Sequence, residues 1–193
     1  MDTQNAIAQA TKQLVEERGF TAVTVTTIMG AAHLRRQTFY DHFKDKYDVV
    51  AWIYQNEAHS VTEHTQSGNW TAVLKALVHY FDNNRRFYRD VLAVEGQNAP
   101  AAVVRDCFKN IICNSLLALS REEQVTIGGQ YCQFMRELLA DGVMQELQRW
   151  MTSLNPRPAM QENEFIRTYI EDQINGLLLR RRRIDTYKHQ SIA

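Results

Sequence analysis

Between Thr24 and Lys46 the chain reads TVTTIMGAAHLRRQTFYDHFKDK. Two short stretches with helical spacing flank a point where the backbone has to turn sharply. No other segment constrains the fold as much. Thr24 is a good N-cap for a helix over about 25–32, with Val25 and Ile28 facing inward. Ala31 and Ala32 are small and let another helix approach closely. His33 falls where a turn residue often adopts the left-handed conformation. Glycine is cheapest there, and histidine is among the residues enriched in that region. A second helix is expected over about 35–42, with Phe39 toward the core and Tyr40 and Phe43 flanking its exit. The pattern is that of a helix-turn-helix.

The rest of the chain is read as helical too. Eight glycines and three prolines in 193 residues are few for a strand-rich fold, and no stretch alternates as a strand does. The first helix is expected over about 3–18, capped by Thr3, with Ile7, Ala10, Leu14 and Val15 on one stripe and Gly19 as its stop. Phe20 then serves as an apolar plug. Asp45 can cap a helix running from about 46 into the 60s, on the stripe Tyr47, Val50, Ile53, Tyr54 and Val61. Gly68 and Asn69 break the chain. Helices follow over about 70–83, over 86–95 (ended by Gly96), and from Pro100 to about 119. Ser120-Arg-Glu-Glu123 fits a capping box that opens a helix to about 153, with a weak point at Gly128-Gly129. Asn155 to Pro158 is a loop, and a last helix starts near 161. The expected fold class is all-α. A three-helix head over 1–47 precedes a larger helical domain over 48–193.

Composition excludes more than it identifies. Net charge is zero, so the chain is not basic all over, although a local patch suffices for phosphate contacts. Cys107, Cys113 and Cys132 are an odd number and lie in apolar helical patterns, as buried thiols in a reducing compartment do. His59, His64 and His79 have no metal-ligand spacing, and neither a metal nor a cofactor is expected. The N-terminus has no signal-peptide pattern and no apolar run spans a bilayer, so the expected location is the cytoplasm, without membrane contact. No Ser/His/Asp signature, phosphate-binding glycine loop or HExxH motif is present, so an enzyme is not expected.

A basic pair on a helix is more often a solvated face than a binding surface. Here Arg35, Arg36, Gln37 and Thr38 open a short helix after a capped helix and a tight turn. They are followed at once by Tyr40, His42, Lys44 and Lys46. Arginine and glutamine suit base edges in a major groove. Tyrosine and lysine at the rim suit phosphate oxygens, which position a protein without reading sequence. A helical adaptor that binds only protein is the competing class, and it has no use for such a helix start.

The segment resembles the DNA-binding region of the TetR family of bacterial transcription regulators. The matching features are Gly19-Phe20, Thr24-Val25, Ile28, Ala32-His33-Leu34, Thr38-Phe39-Tyr40, His42-Phe43 and Lys46, all within about the first 50 residues. The resemblance implies a helix-turn-helix head and a helical domain that binds an effector and dimerises through its last two helices. Two heads would then read a pseudo-palindromic operator in double-stranded DNA. It also implies base-reading positions at Arg36, Gln37 and Thr38, with phosphate contacts at Tyr40 and Lys44 and at the helix start marked by Thr24. Arg35 departs from the pattern by standing where a small capping residue is common, and is expected to face phosphate. The run Arg180 to Arg183 departs as well and is read as a solvated end. YDHFKDKYDVVAWIYQNE, with Tyr47 and Trp52, is similar to regulators of dihydroxyacetone-kinase operons. That subgroup implies activation with a kinase-like protein coactivator; a ligand-released repressor, for instance of an efflux gene, is the other reading. The sequence does not identify the effector site. The aromatics between 50 and 150 are read as core.

Overall fold

The computed structural model describes residues 2–63, 69–94, 100–122, 124 and 129–190, with side chains at 59, 61–63 and 181–190 left aside. Among the described residues every regular element is helical: α1 (Thr3–Arg18), α2 (Val25–Ala31), α3 (Arg36–Tyr40), α4 (Lys46–Glu63), α5 (Trp70–Asn83), α6 (Arg85–Leu92), α7 (Ala101–Glu122), α8 (Gln130–Thr152) and α9 (Ala159–Gln190). A single 3-10 turn, Phe20–Ala22, joins α1 to α2.

The head is built from local signals. α1 buries Ile7, Ala10, Leu14 and Val15, as their spacing predicts. Its cap is Asp2 rather than Thr3: the Asp2 carboxylate accepts from the Gln4 N–H at 3.4 Å, and Thr3 is the first helical residue. Thr11 is wholly buried on the same face. Its hydroxyl donates to the Ile7 carbonyl at 2.8 Å, so burial leaves no donor unpaired. Gly19 ends α1 at φ 78°, and its N–H donates to the Val15 carbonyl. A Cβ there would also stand 3.3 Å from Asp90 Oδ2, so both backbone and space favour glycine.

α2 opens on a reciprocal cap. Thr24 Oγ1 accepts from the Thr27 N–H at 3.2 Å, and Thr27 Oγ1 accepts from the Thr24 N–H at 3.0 Å. α2 closes in a Schellman motif with histidine in the glycine position. His33 adopts φ 55°. The Leu34 N–H reaches the Met29 carbonyl, and the His33 N–H reaches that of Gly30. This turn sets α3 across α2.

α4 is capped by Asp45, whose Oδ1 accepts from the N–H groups of Tyr47 and Asp48 at 2.8 and 2.9 Å. It packs against α1 in the head and against α5 and α7 in the body. Val50, Ile53 and Tyr54 are buried as expected, Tyr47 is half-buried, and the side chain of Val61 lies outside the described set. The body core is aromatic: Tyr54 stacks on Phe81, and Phe81, Phe87 and Tyr88 meet edge to face. α6 bridges the two parts by packing against both α1 and α8. There Arg85 lies over the Trp150 ring at 4.2 Å and donates to the Trp150 carbonyl, closing the C-terminal end of α8.

Two expected boundaries differ. α6 ends at Leu92, before Gly96, which lies outside the described residues. α7 runs through Ser120 to Glu122, so Ser120 is a helical residue and does not open a new helix. The buried face of α7, through Ile112, Ser115 and Leu116, packs on α8. That packing carries the helix past the local capping signature. Glu123 and Gly128 lie outside the described residues; Gly129, at φ 84°, caps α8. α8 and α9 lie antiparallel, with Arg180 over the Tyr131 ring at one end and Arg157 joining Glu146 to Glu162 at the other.

Candidate nucleic-acid interface

α3 is only five residues long, and one side chain holds it in place. Phe39 has no exposed surface and meets Phe43 at 5.9 Å; Phe43 in turn packs edge-on to Trp52 of α4. With Phe39 inward, Arg36 and Gln37 point to solvent, Tyr40 is half-exposed and Thr38 is half-buried. Arg35 sits in the cap position with extended backbone and makes no side-chain cap bond. The departure noted in the sequence therefore leaves the first turn of α3 uncapped and Arg35 exposed. The Arg36 guanidinium donates to the Tyr40 hydroxyl at 3.4 Å, one helical turn on, which ties together a base-reading and a phosphate-type candidate.

His42 and Lys44 are exposed on the segment that leaves α3. The Lys44 N–H donates to Asp48 Oδ2 at 3.0 Å, which fixes that backbone and leaves the ammonium group outward. Thr24 is exposed at the start of α2 and uses its hydroxyl in the cap. Arg35, Arg36, Gln37, Tyr40, His42 and Lys44 are thus all exposed along the run from the start of α3 to the start of α4, with Asp41 exposed among them.

Lys46 is the exception among the expected contacts. Its ammonium donates to the carbonyls of Phe20 and Val23 at 2.9 and 2.8 Å and lies 4.5 Å over the Phe20 ring. Desolvation holds its pKa below the ordinary lysine value. Lys46 is a strut that pins the 3-10 turn to the start of α4, and its donors point into the protein. Sequence reading could not find this, because the acceptors are carbonyls more than twenty positions away.

A second constellation, also invisible in the sequence, joins head and body. Lys12 of α1 and Glu57 of α4 pair at 2.8 Å. Glu57 accepts from the Tyr80 hydroxyl at 2.9 Å, and the Tyr80 and Tyr88 oxygens are 2.7 Å apart. Burial first, and then the mutual Tyr80–Tyr88 and Glu57 contacts, push the Tyr80 hydroxyl well above the usual tyrosine range. The Tyr54 hydroxyl nearby is buried without a well-formed hydrogen bond, with Cys107 and Tyr88 as its polar neighbours, and is raised by burial as well. His79 is half-exposed on α5; His59 and His64 lie outside the described side chains. No group of three or more His, Cys, Asp or Glu able to hold a metal occurs among the described residues, and none of the described helices is long and apolar enough to cross a membrane.

A three-helix head with a short exposed polar helix set across a capped one, carried on a helical body, defines a helix-turn-helix transcription regulator. Comparison with known proteins agrees. The family described as "Bacterial regulatory proteins, tetR family" matches residues 7–52, and "Transcriptional regulator C-terminal region" matches residues 68–172, more than half of the chain. The chain belongs to the TetR family of transcription regulators. It is similar to the HTH-type dhaKLM operon transcriptional activator DhaS of Lactococcus lactis, at 32% identity over 94 residues, 48% of this chain and 50% of that protein. It is also similar to the transposon Tn10 TetC protein of Escherichia coli, at 26% identity over 107 residues, 50% of this chain and 54% of that one. The chain therefore spans about half the length of the curated relatives it matches. Among solved structures, the dihydroxyacetone kinase operon activator DhaS superposes with a TM-score of 0.67 at 21% identity, covering 90% of this chain and 96% of that one. This likeness shows the fold.

Proposed function

We propose that this regulator activates a dihydroxyacetone-kinase operon by binding a pseudo-palindromic operator as a homodimer. The observation that carries the DNA reading is α3 itself: Phe39 is fully buried, and Arg36 and Gln37 are thereby turned outward. In this reading Arg36, Gln37 and Thr38 meet base edges, and Arg35, Tyr40, His42, Lys44 and the α2 start at Thr24 meet phosphates. The head ends near residue 47, where α4 leads into the body. The activator reading is supported by the 32% identity to an operon activator.

Regulators of this family act as dimers on operator DNA. The dimer face is proposed on α8 and α9. Phe134 and Leu138 of α8 and Phe165, Tyr169 and Leu179 of α9 are each 42–56% exposed, an apolar area of the kind that marks an interface. The body receives a small molecule or a kinase-like protein coactivator and transmits it along α4, with a coupling of about 1–3 kcal/mol. The test is selection of bound sequences from a random DNA pool by the purified protein, followed by transcription in vitro from the selected site. Enrichment of a two-fold-related motif and a rise in transcript are expected. Absence of any sequence preference at low salt would overturn the DNA reading, and a fall in transcript relieved by a ligand would replace activation with repression.

A further inference from the structure

The interface of α7 and α8 has a regular register. Arg105 pairs with Asp141, and Lys109 pairs with Glu137 at 2.8 Å. Each step of four residues along α7 is thus matched by a step of four back along α8. Continued by one further turn, the same register runs to Cys113 on α7 and to Gln133, the sequence neighbour of Cys132, on α8. A cavity of about 230 Å³ is lined there by Cys113, Leu116 and Leu117 of α7 and Cys132, Gln133 and Arg136 of α8, among others. Both thiols are free and half-buried, so a small reagent reaches them. Arg136 lines the same cavity.

We infer that Cys113 and Cys132 form a dithiol site for a soft centre carrying one apolar organic group, of the trivalent organoarsenical kind. Soft thiolate ligands select soft centres. A two-thiolate site with no third His, Cys, Asp or Glu among the described residues lacks the four ligands of structural zinc. Leu116 and Leu117 supply an apolar wall, and a cavity of about 150 Å³ is enough for a benzene ring. In the binding step two S–H bonds break and two As–S bonds form. The arsenic-bound oxygen leaves as water with both thiol protons, and no oxidation state changes.

The test uses the full-length protein and phenylarsine oxide. One equivalent should consume two of the three thiols and add one phenylarsenic group. Excess monothiol should not remove it, and a dithiol should. Cys113→Ser and Cys132→Ser should each weaken retention by roughly 10²-fold, the advantage of an intramolecular second bond, while Cys107→Ser keeps it. Adduct lost to monothiol, or retention that depends on Cys107, would overturn the inference. Should a serine variant not fold, proteolysis of the wild-type adduct decides instead: arsenic joining the Cys113 and Cys132 peptides upholds the site, and any other location sinks it.

Discussion

The Lys12 ammonium donates to both carboxylate oxygens of Glu57, at 2.9 and 2.8 Å, and to Asn84 Oδ1 at 3.0 Å. Three elements meet at one cation: α1 of the head, α4 that leaves it, and the turn into α6. Lys12 is well shielded and Glu57 partly so, which makes this more than a surface ion pair. Replacing Glu57 by Ala removes the counter-charge of Lys12 and the carboxylate acceptor of the Tyr80 hydroxyl, leaving them Asn84 and Tyr88. A loss of about 2 kcal/mol is expected, the scale of hydrogen bonds to a charged partner. Urea unfolding of wild type and Glu57→Ala measures it. An unchanged midpoint would show that the contact contributes nothing to stability.

The tyrosines of that network give a pH dependence. Burial raises the hydroxyls of Tyr54, Tyr80 and Tyr88 above the usual tyrosine range. In the unfolded chain they ionise near the ordinary value of about 10. The folded state therefore binds more protons than the unfolded state above that pH, and stability falls as pH rises. Below about pH 10 this contribution is complete. Alkaline titration followed by tyrosinate absorbance should show these three ionising together with the loss of helical signal, and Tyr80→Phe should remove one of them from that step. Gradual ionisation before unfolding would contradict the assignment.

Lys44 and Lys46 lie two residues apart and have opposite roles. Lys44→Ala should leave stability nearly unchanged, weaken binding to all DNA alike and lower the salt slope by about one. Lys46→Ala removes a donor to the Phe20 and Val23 carbonyls and a cation over the Phe20 ring. It should cost about 2 kcal/mol of stability, with the salt slope retained where the protein is folded. Gln37→Ala should relax preference at one base pair, by about 1–3 kcal/mol. Thermal melts and binding titrations across salt separate the three.

The difference between those lysines explains how much of the molecule sequence could show. Caps at Thr24 and Asp45, the stop at Gly19 and the left-handed turn at His33 depend on neighbours within a few residues, so they were legible. Phe39 was legible as core because it is the one purely apolar side chain between Arg35 and His42. Lys46 and the Lys12–Glu57 pair were not, because their partners are set by how α1, α4 and the 3-10 turn pack. Ser120 misled for the same reason: its local signature is good, but α7 already packs on α8 and continues through it. At Asp2 and Thr3, two adjacent residues can both cap, and the structure uses the first.

His33 holds φ 55° in the glycine position of the α2 cap. A Cβ in left-handed backbone costs roughly 1–2 kcal/mol, and part of that gain is lost because glycine also loosens the unfolded chain. His33→Gly should therefore raise stability by about 0.5 kcal/mol. His33→Val should lower it, since a β-branched residue tolerates that region badly. Matched thermal melts decide: if valine is as stable as glycine, the turn is not held in that conformation in solution.

Phe134 and Leu138 lie one turn apart on α8, both more than half exposed, and α9 carries the exposed Phe165 and Tyr169. Placing a charge on this strip should oppose its burial against a second copy without disturbing the core behind it, where Leu139 and Val143 face inward. Leu138→Glu should yield a folded monomer by sedimentation equilibrium, with helical content and melting close to wild type. A monomer has one head per molecule, so binding to the two-half-site operator should fall by about 10²–10⁴-fold, while binding to a single half-site stays the same. A dimer that survives both Leu138→Glu and Phe134→Asp would move the dimer face off α8.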